Sequence, residues 1–306
     1  MQHYFAPLEG LTDSVYRRLH HEYFGGVDAY YMPFISPTMH RTLTHKEDRE
    51  LPPADSVPFA VVPQILTRNA GDFLWAAEQC RLRGYGEVNL NMGCPSGTVV
   101  SKGKGAGMLA DPAALDAFLD EVFSKVDMPV SIKTRLGIAQ PEEFPAILEI
   151  LNRYPISRLI LHPRVRKQFY DGSVDEGMLA YCAAHAKMPL CCNGNLNTLS
   201  DIRRIRTTYP GVESVMLGRG LMADPGMLCG GTDAATLEDF SSALLEEYLV
   251  LFGGARNAMF RLKENWSYWL PRFEGSEKLA KRLRKTTDLG EFKSITAEIF
   301  HTLPLK

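Results

Sequence analysis

The segments EVNLN (87–91), DPAALDAFLDEVFSK (111–125) and VSIKT (130–134) follow one another and decide the fold. The first and third are short runs of strand length that contain the apolar residues Val88 and Leu90, and Val130 and Ile132, and we interpret them as strands of a buried parallel sheet. In the middle segment, Asp111 can cap a helix that has Pro112 at its first position. The spacing therefore predicts a helix connecting two parallel strands.

This strand-and-helix unit recurs eight times, with no internal repeat of fixed period. Eight units within roughly 225 residues are close to the usual content of a (β/α)8 barrel, whereas a doubly wound open sheet rarely needs eight. We therefore predict an α/β fold, a TIM barrel. The candidate strands are HYFA (3–6), AYYMPF (29–34), FAVVPQ (59–64), EVNLN (87–91), VSIKT (130–134), RLILH (158–162), LCCN (190–193) and SVMLG (214–218).

The alternation stops after Asp224, and the rest of the chain has helical patterns only. We predict a barrel domain over 1–235 and a small all-helical domain over 236–306. The formal net charge of the 306 residues is −2, but between Arg256 and Lys285 nine basic residues meet three acidic ones. Such an excess favours a polyanionic partner, and a solvated helix face explains the charges about equally well.

Two classes of protein are disfavoured by what the sequence lacks. No run of 18 apolar residues occurs and the start MQHYFAPLEG has no signal-peptide pattern, so we expect no membrane association. The histidines show no metal-ligand spacing with cysteines or acids, so we expect no metal. A monomer is the default expectation. Because the six cysteines are sparse, irregularly placed and form no C-x-x-C pair, we expect a location in the reducing cytoplasm. Five of them are predicted to be small core residues: Cys80, Cys182, Cys191, Cys192 and Cys229.

Polar residues follow seven of the eight predicted strands. In barrel enzymes the reactive groups gather at the carboxyl ends of the strands, so these residues could line one pocket. NGN (193–195) and GRG (218–220) follow the last two strands, where barrels often bind phosphate, and Arg219 could clamp it. Each glycine motif alone is more simply explained as a structural turn. Together they favour a phosphorylated cofactor.

Lys133 is predicted to extend from a buried strand into this pocket. An unpaired buried ammonium is costly, so it needs an anionic or electron-rich partner. A Schiff-base lysine and a lysine that stabilises a reduced flavin are the competing interpretations, beside a structural ion pair. Gln64 and the main chain of Pro7 to Glu9 suit a heteroaromatic ring, which favours flavin. His162, with Arg164 two residues later, is predicted to contact the same ligand.

Cys94 is the residue with the sharpest chemical prediction. It follows a strand, is flanked by Gly93 and Pro95, and precedes the glycine-rich segment SGTVVSKGKGAG (96–107). We expect this segment to be a mobile cover of the pocket rather than core. Because thiols are mostly protonated near neutral pH, a cysteine here can act as a proton donor.

Several segments together resemble the tRNA-dihydrouridine synthase family. They are APLEGLTD (6–13), Gln64, NLNMGCPSG (89–97) with GKGAGML (103–109), SIKTRLG (131–137), HPR (162–164), NGN and VMLGRG (215–220). They occur in the family's order and span the whole barrel. The element asparagine–x–glycine–cysteine–proline with its glycine-rich loop is the most specific, and the helical tail is less diagnostic.

The resemblance implies an FMN-dependent reduction of the C5–C6 double bond of a uridine in tRNA, with NADPH or NADH as reductant. Cys94 would protonate C5 after hydride from flavin N5 reaches C6, while Asn91 and Arg135 would grip the uracil. The residues implied to hold FMN are Pro7, Leu8, Glu9, Gln64, Lys133, His162, Asn193, Gly194, Asn195, Gly218 and Arg219. The cations expected to contact tRNA phosphates are Lys102, Lys104, Arg261, Lys263, Lys281, Arg282, Arg284 and Lys285.

Two positions depart from the family pattern, Pro163 in place of a glycine and Asn195 in place of an acid. Three rival classes are a flavin barrel acting on a free pyrimidine, an RNA-binding protein with a vestigial barrel, and a Schiff-base aldolase. The basic tail argues against the first, and the cysteine, lysine and phosphate loops at one end of the barrel argue against the second. The sequence does not indicate which uridine is modified.

Overall fold

The computed structural model of the chain describes residues 1–38 and 40–306. Nine parallel strands form one sheet with the order β3-β2-β1-β9-β8-β7-β6-β5-β4, which curls into a nearly closed barrel. The strands are β1 Gln2–Phe5, β2 Ala29–Tyr31, β3 Val61–Val62, β4 Gln64–Ile65, β5 Val88–Met92, β6 Val130–Arg135, β7 Leu159–His162, β8 Leu190–Asn193 and β9 Val212–Leu217. The predicted TIM barrel is confirmed, and a strand lies on each of the eight predicted runs.

The third predicted strand is divided in two at Pro63. β3 pairs with β2, whereas β4 pairs with β5, so the two ends of the sheet are neighbours along the chain. Pro63 has no N–H to donate, but its carbonyl accepts a hydrogen bond from Asn89 N at 2.8 Å. A single bridge, Ile35 to Ile65, is formed beside this change of partner. FAVVPQ was therefore wrong as one continuous strand.

Thirteen α-helices are formed by the described residues. They are α1 Ser14–Tyr23, α2 His45–Glu50, α3 Ala70–Leu82, α4 Gly97–Val100, α5 Pro112–Phe123, α6 Phe144–Leu151, α7 Glu176–His185, α8 Leu199–Thr208, α9 Arg219–Ala223, α10 Ala234–Phe252, α11 Ala255–Trp269, α12 Glu277–Lys285 and α13 Leu289–Thr302. The predicted cap of α5 is present, since Asp111 Oδ1 accepts from Ala114 N at 3.0 Å with Pro112 in the first turn. No helix in the described ranges is both long and apolar enough to cross a membrane.

The chain divides into two compact units. The first, the barrel unit, contains residues 1–7 and 28–218. The second, the helical unit, contains residues 8–27 and 219–306. The change at residue 218 lies upstream of the predicted domain boundary at 235/236, which stays a prediction. In the second unit α9 is tied to α11, because Trp269 Nε1 donates to the carbonyl of Met222 at 2.9 Å.

The helical unit has an aromatic core of its own. Trp266 packs against Phe300 with ring centroids 5.2 Å apart, and against Trp269 at 5.5 Å. Asp13 caps α1 through Tyr16 N at 3.0 Å and also accepts a hydrogen bond from Tyr248 on α10 at 3.1 Å. Trp266 and Trp269 are both fully buried.

Four of the five cysteines predicted to be core residues are buried in the barrel, and burial raises the pKa of Cys191 to about 12. The prediction was wrong for Cys229, which is exposed. It ends a short 3-10 turn, Met227–Cys229, and two glycines with positive φ follow it. Cys229 therefore lies in an irregular connection rather than in a buried strand or helix, which leaves its side chain exposed.

Candidate active site

Most of the predicted site residues lie at the carboxyl ends of neighbouring strands. The ladder places Asn91 of β5 beside Lys133 of β6, and Arg135 of β6 beside His162 of β7. Asn193 ends β8, where its side-chain amide donates to the carbonyl of Met216 at 2.8 Å. The parallel register therefore gathers these side chains at one end of the barrel, as the strand-end argument predicted.

A chain of amide side chains crosses from β4 to β6. Asn91 Nδ2 donates to Gln64 Oε1 at 2.7 Å, and Gln64 Nε2 donates to Asn89 Oδ1 at 2.7 Å. Asn89 Nδ2 then donates to Ser131 Oγ at 2.9 Å. All four side chains are buried. Each amide is therefore held in one orientation by its neighbours, which makes this wall of the site rigid.

The same chain of amide side chains holds the cysteine loop, which consists of Gly93, Cys94 and Pro95 after β5. Asn91 Oδ1 accepts from the backbone N–H groups of Gly93 at 3.1 Å and Cys94 at 2.9 Å. The carbonyl of Cys94 accepts from Ala106 N at 3.1 Å. The Cys94 side chain remains partly exposed. Asn91, which was expected to grip the uracil, thus also positions the backbone of the cysteine.

The glycine-rich segment after Cys94 has regular structure. It forms the short helix α4 and enters a 3-10 helix, Gly105–Ala110. Gly97, Thr98, Ser101 and Lys102 are exposed, as expected for a segment outside the core, whereas Gly105 and Ala106 are buried. Gly105 has φ +57°, and a Cβ there would meet the Cys94 carbonyl at 2.9 Å, so this glycine allows close packing against the cysteine loop. The mobility of the segment stays a prediction.

Lys133 has no hydrogen bond or ion pair within residues 1–38 and 40–306. Its side chain is only partly exposed, and burial, reinforced by the nearby charge of Arg135, lowers its pKa to about 8. An amine in this state gains from an anionic or electron-rich partner. Among the residues described so far at this end of the barrel, Lys133 is the one whose charged group lacks a hydrogen-bond or ion-pair partner.

Arg135 is almost completely buried and its guanidinium is engaged by the protein. Nε donates to the carbonyl of Gly93 at 2.9 Å, and Nη1 donates to the carbonyl of Val165 at 3.2 Å. The guanidinium also lies 5.4 Å from the ring centroid of Tyr170, which is 51% exposed. Burial lowers the pKa of Arg135, and Tyr170 opposes this effect. Arg135 therefore links the cysteine loop to an aromatic residue at the surface.

His162 is held by Arg164 and packs against Gly194. Arg164 Nη1 lies 2.8 Å from His162 Nε2, and because a guanidinium only donates, this nitrogen must accept. The imidazole is therefore neutral, with its proton on Nδ1. A Cβ at Gly194, where φ is +113°, would approach the imidazole to 2.7 Å. Asn195, also at positive φ, accepts from Arg164 Nη2 at 3.0 Å.

Five further predicted cofactor residues lie at or next to the points where the chain passes from one compact unit to the other. Pro7 and Gly218 end stretches of the barrel unit, whereas Leu8, Glu9 and Arg219 belong to the helical unit. Leu8 starts a turn in which its carbonyl accepts from Leu11 N at 2.9 Å. Arg219 is exposed at the start of α9. Their roles toward a cofactor stay predictions.

The predicted RNA-contacting cations divide into engaged and exposed groups. Arg261 lies 3.6 Å from Asp13, and Lys263 donates to the carbonyls of Arg284 and Thr286. Lys104 donates to Ser36 Oγ at 3.2 Å. Exposed side chains are those of Lys102, Lys281, Arg282, Arg284 and Lys285, of which Arg282 pairs with Glu298 at 3.1 Å. The exposed cations other than the paired Arg282 are therefore the ones available to an external polyanion.

Sequence reasoning missed two residues beside the cysteine loop. Tyr170 contacts Arg135 as described, and Arg166 Nε donates to the carbonyl of Pro95 at 3.2 Å. Both follow HPR in the sequence RVRKQFYDG (164–172). The available signal was an adjacent pair of aromatic residues in an otherwise polar connection after a strand.

The family model described as Dihydrouridine synthase (Dus) matches residues 4–267. The chain belongs to the dihydrouridine synthase family. A probable tRNA-dihydrouridine synthase of Rhizobium leguminosarum bv. phaseoli is 27% identical over 311 residues, covering 97% of this chain and 94% of the relative. The tRNA-dihydrouridine(16) synthase of Aquipseudomonas alcaligenes is 31% identical over 270 residues, covering 82% of each. The resemblance inferred from the motifs is thereby confirmed.

The fold of this dihydrouridine synthase family member is also similar to a solved structure of morphinone reductase. The TM-score is 0.51 at 11% sequence identity, with 74% of this chain and 84% of that chain covered. At this identity the similarity supports the barrel fold alone. Across the described part of the chain, no three His, Cys, Asp or Glu side chains are grouped as metal ligands would be.

Proposed function

We propose that this protein reduces the C5–C6 double bond of a uridine in tRNA, using bound FMN and NADPH. The observation that carries the proposal is the pairing of two features at one end of the barrel. One is a partly exposed thiol whose backbone is fixed by Asn91, and the other is the unpartnered amine of Lys133 on the adjacent strand. Family membership supplies the substrate class.

The residues present fit a flavin. The amine of Lys133 lacks a partner in the described protein and can donate to an electron-rich ring that gains negative charge on reduction. Gln64 lies in the adjacent wall, held by two amide hydrogen bonds but with one amide hydrogen still to donate. His162, Asn193, Gly194 and Asn195, with Pro7, Leu8, Glu9, Gly218 and Arg219, would complete the FMN site.

FMN held by these residues and reduced by NADPH would supply the hydride that is added to C6 of the uracil. The proton for C5 comes from the Cys94 thiol, which then regains a proton from solvent. Asn91 accepts from the N–H of Gly93 and Arg135 donates to its carbonyl, and these two residues would orient the uracil. The exposed cations of α12 would hold the tRNA body through its phosphates, together with Lys102 in the segment that follows the cysteine.

The experiment is to purify the full chain, supply FMN and NADPH, and incubate it with tRNA from a strain that lacks dihydrouridine. We expect yellow protein and dihydrouridine in the tRNA. Cys94→Ala should still bind FMN and accept electrons from NADPH, but should form dihydrouridine about 10²- to 10⁴-fold more slowly. Cys229→Ala is the matched control, because Cys229 is exposed in the other unit. A colourless protein that takes up no FMN, or an unimpaired Cys94→Ala, would contradict the proposal.

Three finer assignments accompany the proposal. We assign residues 1–235 to catalysis and residues 236–306 to tRNA binding, in a monomeric cytoplasmic enzyme. NADPH or NADH would serve as the reductant. Some curated relatives carry names that specify position 16, and others carry names that specify no position. Mapping the dihydrouridines lost from tRNA in a deletion strain identifies the position that this protein modifies.

A further inference from the structure

Two consecutive aromatic side chains are exposed beside the cysteine loop. Phe169 is 41% exposed and Tyr170 is 51% exposed. They follow β7 through the 3-10 turn Arg166–Gln168. Tyr170 is engaged with the buried site through Arg135, as described above. Phe169 packs against no other aromatic ring within the described residues, so its exposed surface has no explanation in the fold of the barrel.

The backbone of Phe169 is strained as well. Its φ is +49° and its ψ is −103°, a region that side chains with a Cβ rarely adopt and glycine adopts freely. A bulky residue in such a conformation is destabilising unless it has a compensating role, and such positions cluster at functional sites. The exposed phenyl ring gains little from burial, so packing does not compensate for the strain.

Arg166 ties this ring to the cysteine loop. Its guanidinium carbon lies 5.2 Å from the centroid of the Phe169 ring. Its Nε donates to the carbonyl of Pro95, the residue after Cys94, at 3.2 Å. Its backbone N–H donates to the carbonyl of Gly137 at 2.8 Å. One arginine thus fixes a cationic, aromatic surface at a short distance from the thiol.

We propose that Phe169, supported by Arg166, is a positioning residue that stacks on the nucleobase next to the target uridine. The inference rests on the proposed function and extends it to the flanking nucleotide. A uridine that leaves its stack to reach a buried site leaves its neighbour without a stacking partner. An exposed aromatic ring beside a guanidinium replaces that partner for any base, while Arg166 and the exposed Lys167 complement the phosphate charge.

The test compares Phe169→Gly with Phe169→Trp in the full-length holoenzyme. Glycine removes the ring and relieves the strain, so we expect an unchanged or higher thermal midpoint together with about a tenfold rise in KM for tRNA. The kcat and the rate of flavin reduction by NADPH without tRNA should stay within about twofold. Phe169→Trp, which keeps an aromatic ring, should have the wild-type KM for tRNA. A merely structural role would instead lower the thermal midpoint and leave the KM unaffected.

A modified substrate makes the test specific for stacking. A tRNA with an abasic nucleotide on the stacked side of the target uridine should bind the wild type about tenfold more weakly, but should bind Phe169→Gly no more weakly than intact tRNA. An equal KM of Phe169→Gly and wild type for intact tRNA would overturn the inference. So would a further tenfold loss of affinity when Phe169→Gly binds the abasic tRNA, because the two losses would then be additive. Slower flavin reduction with an unchanged KM for tRNA would assign Phe169 to the nicotinamide cofactor instead. Wild type that forms no dihydrouridine contradicts the proposed function itself, and the inference with it.

Discussion

Two charged side chains inside the barrel, Arg158 and Lys133, are in opposite situations. Arg158, just before β7, lies 3.5 Å from Glu87, 3.5 Å from the Tyr31 hydroxyl and 4.8 Å from the centroid of the Tyr4 ring. Burial acts to lower its pKa, but Tyr31, Tyr4 and Glu87 more than offset this and the pKa is raised. Lys133, near the end of β6, has no such partners and its pKa is lowered. The protein satisfies the first charge itself, whereas the second is the one that the proposed FMN would satisfy.

The strongest test of this contrast is Lys133→Met. Loss of a preorganised donor at a site of developing negative charge should slow dihydrouridine formation by about 10²- to 10³-fold. The measurement is the rate of dihydrouridine formation in single-turnover assays with reduced protein. Arg158→Met is the matched control, and its turnover per folded molecule should equal that of the wild type. Equal losses in both variants would show that Lys133 has only a structural role.

The exposed charges of α12 extend the contrast to the second unit. Replacing Lys281, Arg284 and Lys285 by glutamine should weaken tRNA binding by about 30-fold near physiological salt. The slope of log affinity against log salt concentration should fall by an amount equivalent to about 2 to 3 phosphate contacts. Filter binding over a salt series measures both. Flavin reduction by NADPH should be unaffected.

The control for α12 has the same change of charge elsewhere. Lys187, Arg203 and Arg206 are exposed on or beside the helices of the barrel unit. Their replacement by glutamine should change tRNA affinity less than about threefold. If the two triple variants weaken binding equally, the effect belongs to net charge and α12 is not the tRNA-binding surface.

The satisfied charge should matter for stability rather than turnover. Arg158→Met leaves the partly buried carboxylate of Glu87 without its ion pair, so we expect the free energy of unfolding to fall by about 2 kcal/mol at pH 7. Urea unfolding of the apoprotein gives this value. The double variant Arg158→Met/Glu87→Gln should recover part of the loss. No recovery would mean that the Tyr4 contact, not the ion pair, is the main contribution.

The smallest expected effect is the pH dependence that Lys133 imposes on the apoprotein. Its folded pKa of about 8 lies below the ordinary lysine pKa of 10.5, so the unfolded chain binds the proton more tightly between these values. The resulting penalty is complete below pH 8 and disappears as the pH rises to 10.5. Lys133→Met should therefore be more stable than wild type by about 1 kcal/mol at pH 7, with the difference vanishing near pH 10.5. A constant difference across this range would contradict the unpartnered state.

The local chemistry of the sequence predicted the barrel well, and its pairing less well. The helix start at Asp111–Pro112 and the strand runs depend on neighbouring residues, and they were predicted correctly. FAVVPQ was divided because Val62 and Gln64 pair with strands at opposite ends of the sheet, a fact of closure that no local pattern contains. The glycine-rich segment after Cys94 was predicted to be mobile, but the close packing of Gly105 against Cys94 was not predicted, since a sequence does not distinguish glycine needed for motion from glycine needed for close packing.

The site was predicted as a set of strand ends but not as a network. That Asn91 and Lys133 are neighbours follows from adjacent parallel strands, which the barrel prediction already contained. That Asn91 accepts from the N–H of Cys94 depends on the path of the turn after β5, and that Tyr170 approaches Arg135 depends on the long connection after β7. Such contacts are made by backbone geometry between elements, which residue types alone leave open.

The amide chain from Asn91 through Gln64 to Asn89 also constrains how this protein can evolve. Each link consists of one NH₂ group facing one carbonyl oxygen, so the chain has a direction that starts at the backbone of Cys94 and ends at Ser131. Replacing a single amide by a carboxylate would set two oxygens against each other, and the error would pass along the wall to the cysteine loop. The amide residues at positions 64, 89 and 91 are therefore expected to be retained or replaced together.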